Sequence, residues 1–295
     1  MKKVFLIYYE QMENLIIEYC ISLYNKFINV EIINYSKNKN IEYNDNNIYI
    51  YFGLAYTNFH FINKNNVFII NLEQLSINGL HSQYNFLQSL IDFSKKYSNI
   101  KIFDYSLANI KILENYGIVS NYLPYQVNKN EIYNYKKIFD YVLCCSFNER
   151  KNYIYNSLTK YINNHIFIGK PCKYGKDRDD ILFSSKVLVN IHHRENDYTI
   201  LEEIRIIRCI LNKVIVISEK SDNHELFPLS KYIIFSKYED IIETTINVLH
   251  NYNIFYEQIF KDFNIEYIDS LLNNYLIMNL DKNILINSLY EKIKI

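Results

Sequence analysis

The chain has 295 residues, 49% of them hydrophobic, which suffices for one large core or two ordinary ones and excludes a disordered chain. Lys plus Arg and Asp plus Glu number 32 each, so there is no net basic field to hold a nucleic-acid backbone. The five cysteines are odd in number and none form a CxxC pair, which argues against a disulfide framework or a zinc site and for a reducing compartment.

The opening "MKKVFLIYYEQ" has an apolar run, but Glu10 and Glu13 interrupt it before a signal-peptide core develops, so it reads as a first strand. Further strands are predicted at "VEIINY", "NIYIYFG", "NVFIINL", "IKIFDYS" and "NYLPY". Helical stretches lie between them, the clearest over Gln83 to Tyr97 and over Leu107 to Tyr116, the second stopped by Gly117. Residues 1–125 thus read as one α/β domain. The polar run "QVNKNEIYNYKK", 126–137, is predicted to be a linker. Alternation resumes with "YVLCCS", a helix from Glu149, "HIFIG", a helix from about Asp179, "KVLVNI", a helix from Glu202, "KVIVIS" and "YIIFS", and the tail from Ile241 is helical. Residues 126–295 form the second domain. The expected architecture is α/β, two Rossmann-like domains facing a cleft, with a helical C-terminal tail. No run approaches the roughly 18 apolar residues of a membrane span, and a soluble, cytoplasmic protein is expected. The abundance of Asn, Ile, Lys and Tyr reflects AT-rich codons, so individual asparagines carry little local meaning.

Three polar clusters carry candidate chemistry. In "LCCSFNERKNYIYNSL" a strand ends and a helix starts, so Ser146 and Asn148 can cap it while its dipole, with Arg150 and Lys151 nearby, suits a phosphate; an ordinary N-cap with two solvated cations fits the same pattern. In "YGKDRDDILF" Asp179 and Asp180 read as first-turn residues favoured by the helix dipole, not as metal ligands, and Arg178 and Lys186 are candidate anion contacts. In "NIHHRENDYTILEEIRI" the neighbours Glu202 and Glu203 point about 100° apart, so one is expected to be solvated. Arg205, three residues after Glu202, shares its face, giving a carboxylate suited to a diol beside a guanidinium, or else a surface ion pair. His192 and His193 are expected in an exposed loop without enough ligands for a metal.

In this order the segments "FIINLEQL", "IFDYSLANIKILENYGI", "YLPY", "CSFNERKNYIYNSL", "YGKDRDDILFSSKVLVNIHH", "LEEIRI" and "VISEKSD" resemble a family of nucleotide-sugar glycosyltransferases with the GT-B fold, found in bacteria and large DNA viruses. The resemblance covers about Val67 to Asp222. It implies that Glu202 binds the donor ribose, with Arg205 beside it, and that "SFNER" lies where the loop holding the donor diphosphate would be. The chain departs from the wider pattern: Glu195 and Glu203 have the E-x7-E spacing, but "LNKVIVIS" lacks the usual Gly and Pro.

The reading that follows is a transferase moving a sugar from a nucleotide diphosphate donor to a glycan, protein or small-molecule acceptor. It requires no cofactor and no metal, because helix-start amides and Arg150 or Arg178 offset the diphosphate charge. The expected donor-binding residues are Ser146, Asn148, Arg150, Arg178, His192, Glu202 and Arg205. Glu73 and His81, each near a strand's carboxyl end, are the candidate catalytic bases on the acceptor side. A nucleotide-sugar epimerase of the same architecture and a catalytically degenerate binding module are the rival expectations.

Overall fold

A computed structural model of the chain describes residues 2–10, 13–37, 41–53, 60–76, 85–144, 148–168, 175–195 and 199–279. The chain divides into two compact units, the first comprising Met1–Glu73, Ser82–Asn128 and Asp269–Ile295, the second Gln74–His81 and Lys129–Ile268.

The first unit is built on β1 (Val4–Tyr8), α1 (Glu13–Tyr24), β2 (Val30–Asn34), β3 (Ile48–Phe52), β4 (Val67–Asn71), α2 (Phe86–Lys96), β5 (Lys101–Asp104), α3 (Leu107–Glu114) and β6 (Ser120–Tyr122). Its six strands are all parallel, in the order β2-β1-β3-β4-β5-β6. Every residue of β3 and β4 is buried, as continuous apolar runs in a sheet covered on both faces must be. The expected strands are all present. α1 is not legible in the sequence, because "ENLIIEYCISLY" is so apolar that its period is hard to read.

α3 ends as predicted. Gly117 has φ +71°, its amide donates to the Glu114 carbonyl at 3.0 Å, and the Ile118 amide donates to the Leu113 carbonyl at 3.1 Å, closing a left-handed C-cap. A Cβ at Gly117 would meet nothing within 4 Å, so only backbone conformation opposes a side chain there. Gly117→Ala is therefore expected to destabilise by about 1–2 kcal/mol, visible as a lower thermal midpoint. A midpoint equal to wild type would show that the cap does not require glycine.

The second unit contains β7 (Phe139–Cys144), α4 (Glu149–Leu158), β8 (His165–Ile168), α5 (Lys176–Phe183), β9 (Ser185–Asn190), α6 (Glu203–Leu211), β10 (Ile215–Glu219), β11 (Ile233–Ser236), α7 (Ile241–His250) and α8 (Tyr252–Phe260). Its five strands are parallel in the order β11-β10-β9-β7-β8. α5 begins at Lys176, three residues before the expected start near Asp179. The helix opens on Gly175 at φ +65° and runs through "KDRDD", where no apolar residue marks a period.

The polar run 126–137 is not a free linker. Gln126, Val127 and Asn128 are buried. Beyond them the Tyr133 amide donates to Asn212 Oδ1 at 2.7 Å, and Asn212 Nδ2 donates to the Glu131 carbonyl at 2.8 Å. Lys137 Nζ donates to the carbonyls of Phe183 at 2.8 Å and Asn212 at 3.2 Å, and burial pushes its pKa down to about 8. The polar side chains satisfy specific backbone groups, so composition misstates their exposure.

The expected second domain of residues 126–295 includes the whole helical tail, but α9 (Ile265–Asn279) joins the first unit from Asp269 onward. There Asp269 accepts a bond from Lys26 Nζ at 2.7 Å and the Leu272 carbonyl accepts one from Gln126 Nε2 at 3.4 Å. Tyr275 meets Tyr122 edge-on at 4.8 Å between centroids, and Leu272 and Leu276 are buried.

Candidate functional site

In the second sheet β7 lies between β8 and β9, so the chain leaves β7 for one side and later returns on the other. The carboxyl ends of β7 and β9 mark a topological switch point, where loops diverge and leave room for a ligand. The predicted residues Asn148, Arg150, His192, Glu202 and Arg205 follow those two strands. Asn148 caps α4 by accepting from the Lys151 amide at 2.9 Å, and its Nδ2 donates to the His193 carbonyl, joining the loops after β7 and β9. Arg205 donates to the Cys144 carbonyl at the end of β7 and pairs with Glu202 at 2.7 Å. Glu202 makes no side-chain capping bond to its own helix, so its carboxylate is turned to Arg205. Both partners are half-buried.

The cations flanking the α4 start are not solvated. Arg150 forms a two-point pair with Glu219, Nη2 to Oε1 at 2.7 Å and Nη1 to Oε2 at 3.3 Å, and its guanidinium stacks 4.1 Å from the Tyr238 ring centroid. Tyr238 Oη in turn donates to the Arg150 carbonyl at 3.0 Å. Lys151 is buried. Glu219, the last residue of a fully buried strand, also accepts from the His192 amide at 2.9 Å. A buried carboxylate without such donors would be costly, and here a guanidinium and an amide satisfy it.

His192 is buried, against the expected exposed loop. Its Nε2 lies 3.3 Å from the Lys220 carbonyl and 3.3 Å from Ser221 Oγ, and burial lowers its pKa from the usual imidazole value. His193 is exposed. Glu203, one of the two neighbours of which one was expected to be solvated, is 3% exposed. Neither glutamate is simply solvated, because the helix start turns one to Arg205 and the other into the protein.

Arg178 does not join this group. It and Arg208 flank the carboxylate of Asp179: Arg178 Nη2 reaches Oδ1 at 2.6 Å, and Arg208 Nη2 reaches Oδ2 at 2.6 Å. Arg208 Nε also pairs with Glu131 at 3.2 Å. Arg178, Asp179 and Arg208 are all buried, so Arg178 is committed to this network and Asp179 is an anion between two guanidiniums as well as a first-turn residue. Lys186, the other candidate anion contact, is paired with Asp140 at 2.7 Å. Asp180 accepts from Lys176 Nζ at 2.6 Å. Ser146 and His81 lie outside the described residues. Among the described residues no group of three or more His, Cys, Asp or Glu side chains could hold a metal ion, and no helix is long and apolar enough to cross a membrane.

The first unit holds a second polar cluster, most of which sequence reasoning missed. Asn71 and Asp104 end β4 and β5 and are register partners, so their side chains meet on one face at the carboxyl edge. Asn71 Nδ2 donates to Asp104 Oδ2 at 2.7 Å, and Asn109 Nδ2, from the first turn of α3, donates to Oδ1 at 2.8 Å. The Ser106 amide adds a bond to Oδ1 at 2.9 Å. Burial raises Asp104 to a pKa of about 7 despite these donors. Two residues past β4 lies Glu73, half-buried, which burial also raises to about 7. A carboxyl that titrates near neutrality can take a proton and give it up. The usable signal was the polar residue ending each apolar run, in "VFIIN" and in "KIFD".

No protein-family model matches the chain. Among curated proteins, "Uncharacterized protein L137" of Acanthamoeba polyphaga mimivirus is 34% identical over 62% of the chain, and "Uncharacterized protein L140" of the same virus is 29% identical over 67%. The matched region spans 25% of the first relative's length and 64% of the second's. Among solved structures, a mutant of S. aureus TarM in complex with fondaparinux, alpha-GlcNAc-glycerol and UDP matches 82% of this chain and 58% of its own, with a TM-score of 0.50 and 12% identity. AviGT4, a glycosyltransferase involved in avilamycin A biosynthesis, matches 94% of this chain and 96% of its own at a TM-score of 0.48 and 8% identity. The fold is α/β with two parallel-sheet units, of the GT-B type.

Proposed function

We propose that the chain is a glycosyltransferase that binds a nucleoside diphosphate sugar at the carboxyl edge of its second sheet and transfers the sugar to a hydroxyl acceptor presented by its first unit. The observation that carries this reading is the convergence of Asn148, Arg150, His192, Glu202 and Arg205 on the β7/β9 switch point. The likeness to a fold solved with UDP supports it. Glu202 accepts the ribose hydroxyls, while Arg205 and the start of α4 face the diphosphate, whose charge is offset without a metal ion. In an inverting transfer Glu73 takes the proton of the acceptor hydroxyl as its oxygen bonds to the anomeric carbon and the bond to the diphosphate breaks.

Titration with UDP and GDP in the presence of chelator tests the donor site. A hydrogen bond to a charged group contributes about 1.5–3 kcal/mol, so Glu202→Ala is expected to weaken diphosphate nucleoside binding about tenfold to a hundredfold. Glu203→Gln, which keeps the volume of a buried side chain, serves as the comparison. Loss in Glu203→Gln alone would move the ribose contact to the E-x7-E glutamate, and loss in neither would remove the donor site from this helix.

One observation favours a second reading, a transferase-like binding module. Arg150, Arg178 and Arg205 are each already paired with a carboxylate of the chain, Glu219, Asp179 and Glu202. Release of nucleoside diphosphate from a UDP- or GDP-sugar by the wild-type protein decides against the module.

A further inference from the structure

The Asp104 carboxylate is closed from solvent at 0% exposure and is met by neutral donors from three directions. Two of those donors have a second acceptor in common. Asn71 Nδ2, bonded to Asp104 Oδ2, also donates to the Glu73 carbonyl at 2.9 Å, and Asn109 Nδ2, bonded to Asp104 Oδ1, donates to the same carbonyl at 2.9 Å. Asn71 Oδ1 completes the arrangement by accepting from the Glu73 amide at 3.2 Å. Both polar groups of the Glu73 backbone are therefore held by amides, and each amide is oriented by one oxygen of the same buried carboxylate.

We propose that Asp104 is a positioning residue for Glu73: through Asn71 and Asn109 it fixes the glutamate's backbone and so keeps its carboxyl in its half-buried setting. The proposal rests on the reading of Glu73 as the general base, but the geometry it invokes can be tested apart from that chemistry. Ionised Asp104, an acceptor at both oxygens, orients both amides with their nitrogens toward one carbonyl, and because burial raises its own pKa to about 7 the clamp is complete only above that pH and loosens as pH falls through it. In Asp104→Asn the oxygen keeps the Oδ1 position, where the Ser106 amide and Asn109 Nδ2 both donate, so the new nitrogen falls at the Oδ2 position and opposes Asn71 Nδ2, two donors face to face. Relieving this by turning the Asn71 amide over would put its nitrogen against the Glu73 amide and its oxygen against the Glu73 carbonyl, so the Asn71 half of the clamp is lost either way. Asn109→Ala removes the other half and leaves Asp104 its bonds from Asn71 and Ser106.

The test is a pH titration of the Glu73 side-chain carboxyl by carbon NMR of the glutamate-labelled full chain, with Glu73→Gln identifying the resonance. In the wild type the midpoint is expected at about 7, with burial as its cause. In Asp104→Asn and in Asn109→Ala, a released Glu73 reaches water and its midpoint moves toward the ordinary glutamate value of 4.5. A residue that only stabilises the fold would lower the unfolding midpoint and leave this titration in place. If Asp104→Asn fails to fold, Asn109→Ala decides. A midpoint still near 7 in a folded variant overturns the clamp. If the midpoint moves in both variants while turnover of a UDP- or GDP-sugar is unaffected even in Glu73→Gln, the clamp stands and the general-base reading falls. If turnover collapses in Glu73→Gln but the clamp variants titrate as wild type, the reverse holds.

Discussion

Asp179→Ala is expected to lower the stability of the folded chain by about 3–5 kcal/mol, the range found when one partner of a buried ion pair is deleted. The cause is the charge left behind more than the bond lost. Arg178 and Arg208 approach the same carboxylate, each with a nitrogen at 2.6 Å, and the three side chains are between 3% and 10% exposed. Arg178 and Arg208 both lose their pairing with this carboxylate, and the two buried guanidiniums are left facing each other across the space it filled. For a chain of this size the change corresponds to a drop of roughly 6 to 20 °C in the thermal midpoint. With no Trp in the sequence, circular dichroism is the suitable probe. The neighbouring half-buried aspartate supplies the contrast: Asp180→Ala loses the i,i+4 pair with Lys176 and the hydrogen bond from Tyr135 Oη, and should unfold much closer to wild type than Asp179→Ala. An Asp179→Ala protein that melts within a degree of wild type would mean that the network does not close the second unit as its distances imply.

Glu73→Gln is expected to lower kcat by about 10² to 10⁴, the usual contribution of a positioned general base, with little change in the affinity for UDP or GDP. The pH profile carries the sharper signature. Base catalysis needs the carboxylate, so turnover in the wild type should rise with pH through about 7 and level off above it, whereas the variant should lack that limb. Stability should run in the opposite direction. Glu73 and Asp104 both have folded pKa values of about 7, against ordinary values of 4.5 and 3.8, so between those limits the folded state binds more protons than the unfolded one. The favourable contribution is complete below the unfolded values and is lost as pH rises through 7. A chain that is more stable at pH 7.5 than at pH 5.5 in urea would contradict the assignment of these two carboxyls.

The strands were legible because each sheet is parallel and covered on both faces, which leaves apolar runs such as "IYIYF" and "VFIIN" bounded by polar residues. Helix starts were legible where a capping side chain preceded an apolar pattern, as at Asn148, and not where the first turn was wholly charged, as at Lys176. What could not be read was partnership. Arg150 reads as a free cation until Glu219, 69 residues later, is brought beside it, and Arg208 meets Glu131 across 77 residues. Local spacing carries no information about such pairs, so each exposed-looking charge was read as available. A more useful rule for this chain would have been to mark the polar residue that closes a buried strand: Asn71, Asp104, Asn190 and Glu219 all occupy that position, and each is engaged by a side chain from another element or strand.

The passage of α9 into the first unit has a consequence for how the protein is made. A ribosome delivers residues in order, and a unit whose pieces were contiguous could close as soon as its last strand emerged. Here the six-stranded sheet is complete at Tyr122, but Leu272 and Leu276, and the Asp269 partner of Lys26, are synthesised about 150 residues later, after the whole second sheet. The surface that α9 covers, at Lys26, Tyr122 and Gln126, is therefore sealed only after the rest of the described chain has been made. The last described helix acts as the latch on the first unit to have been translated.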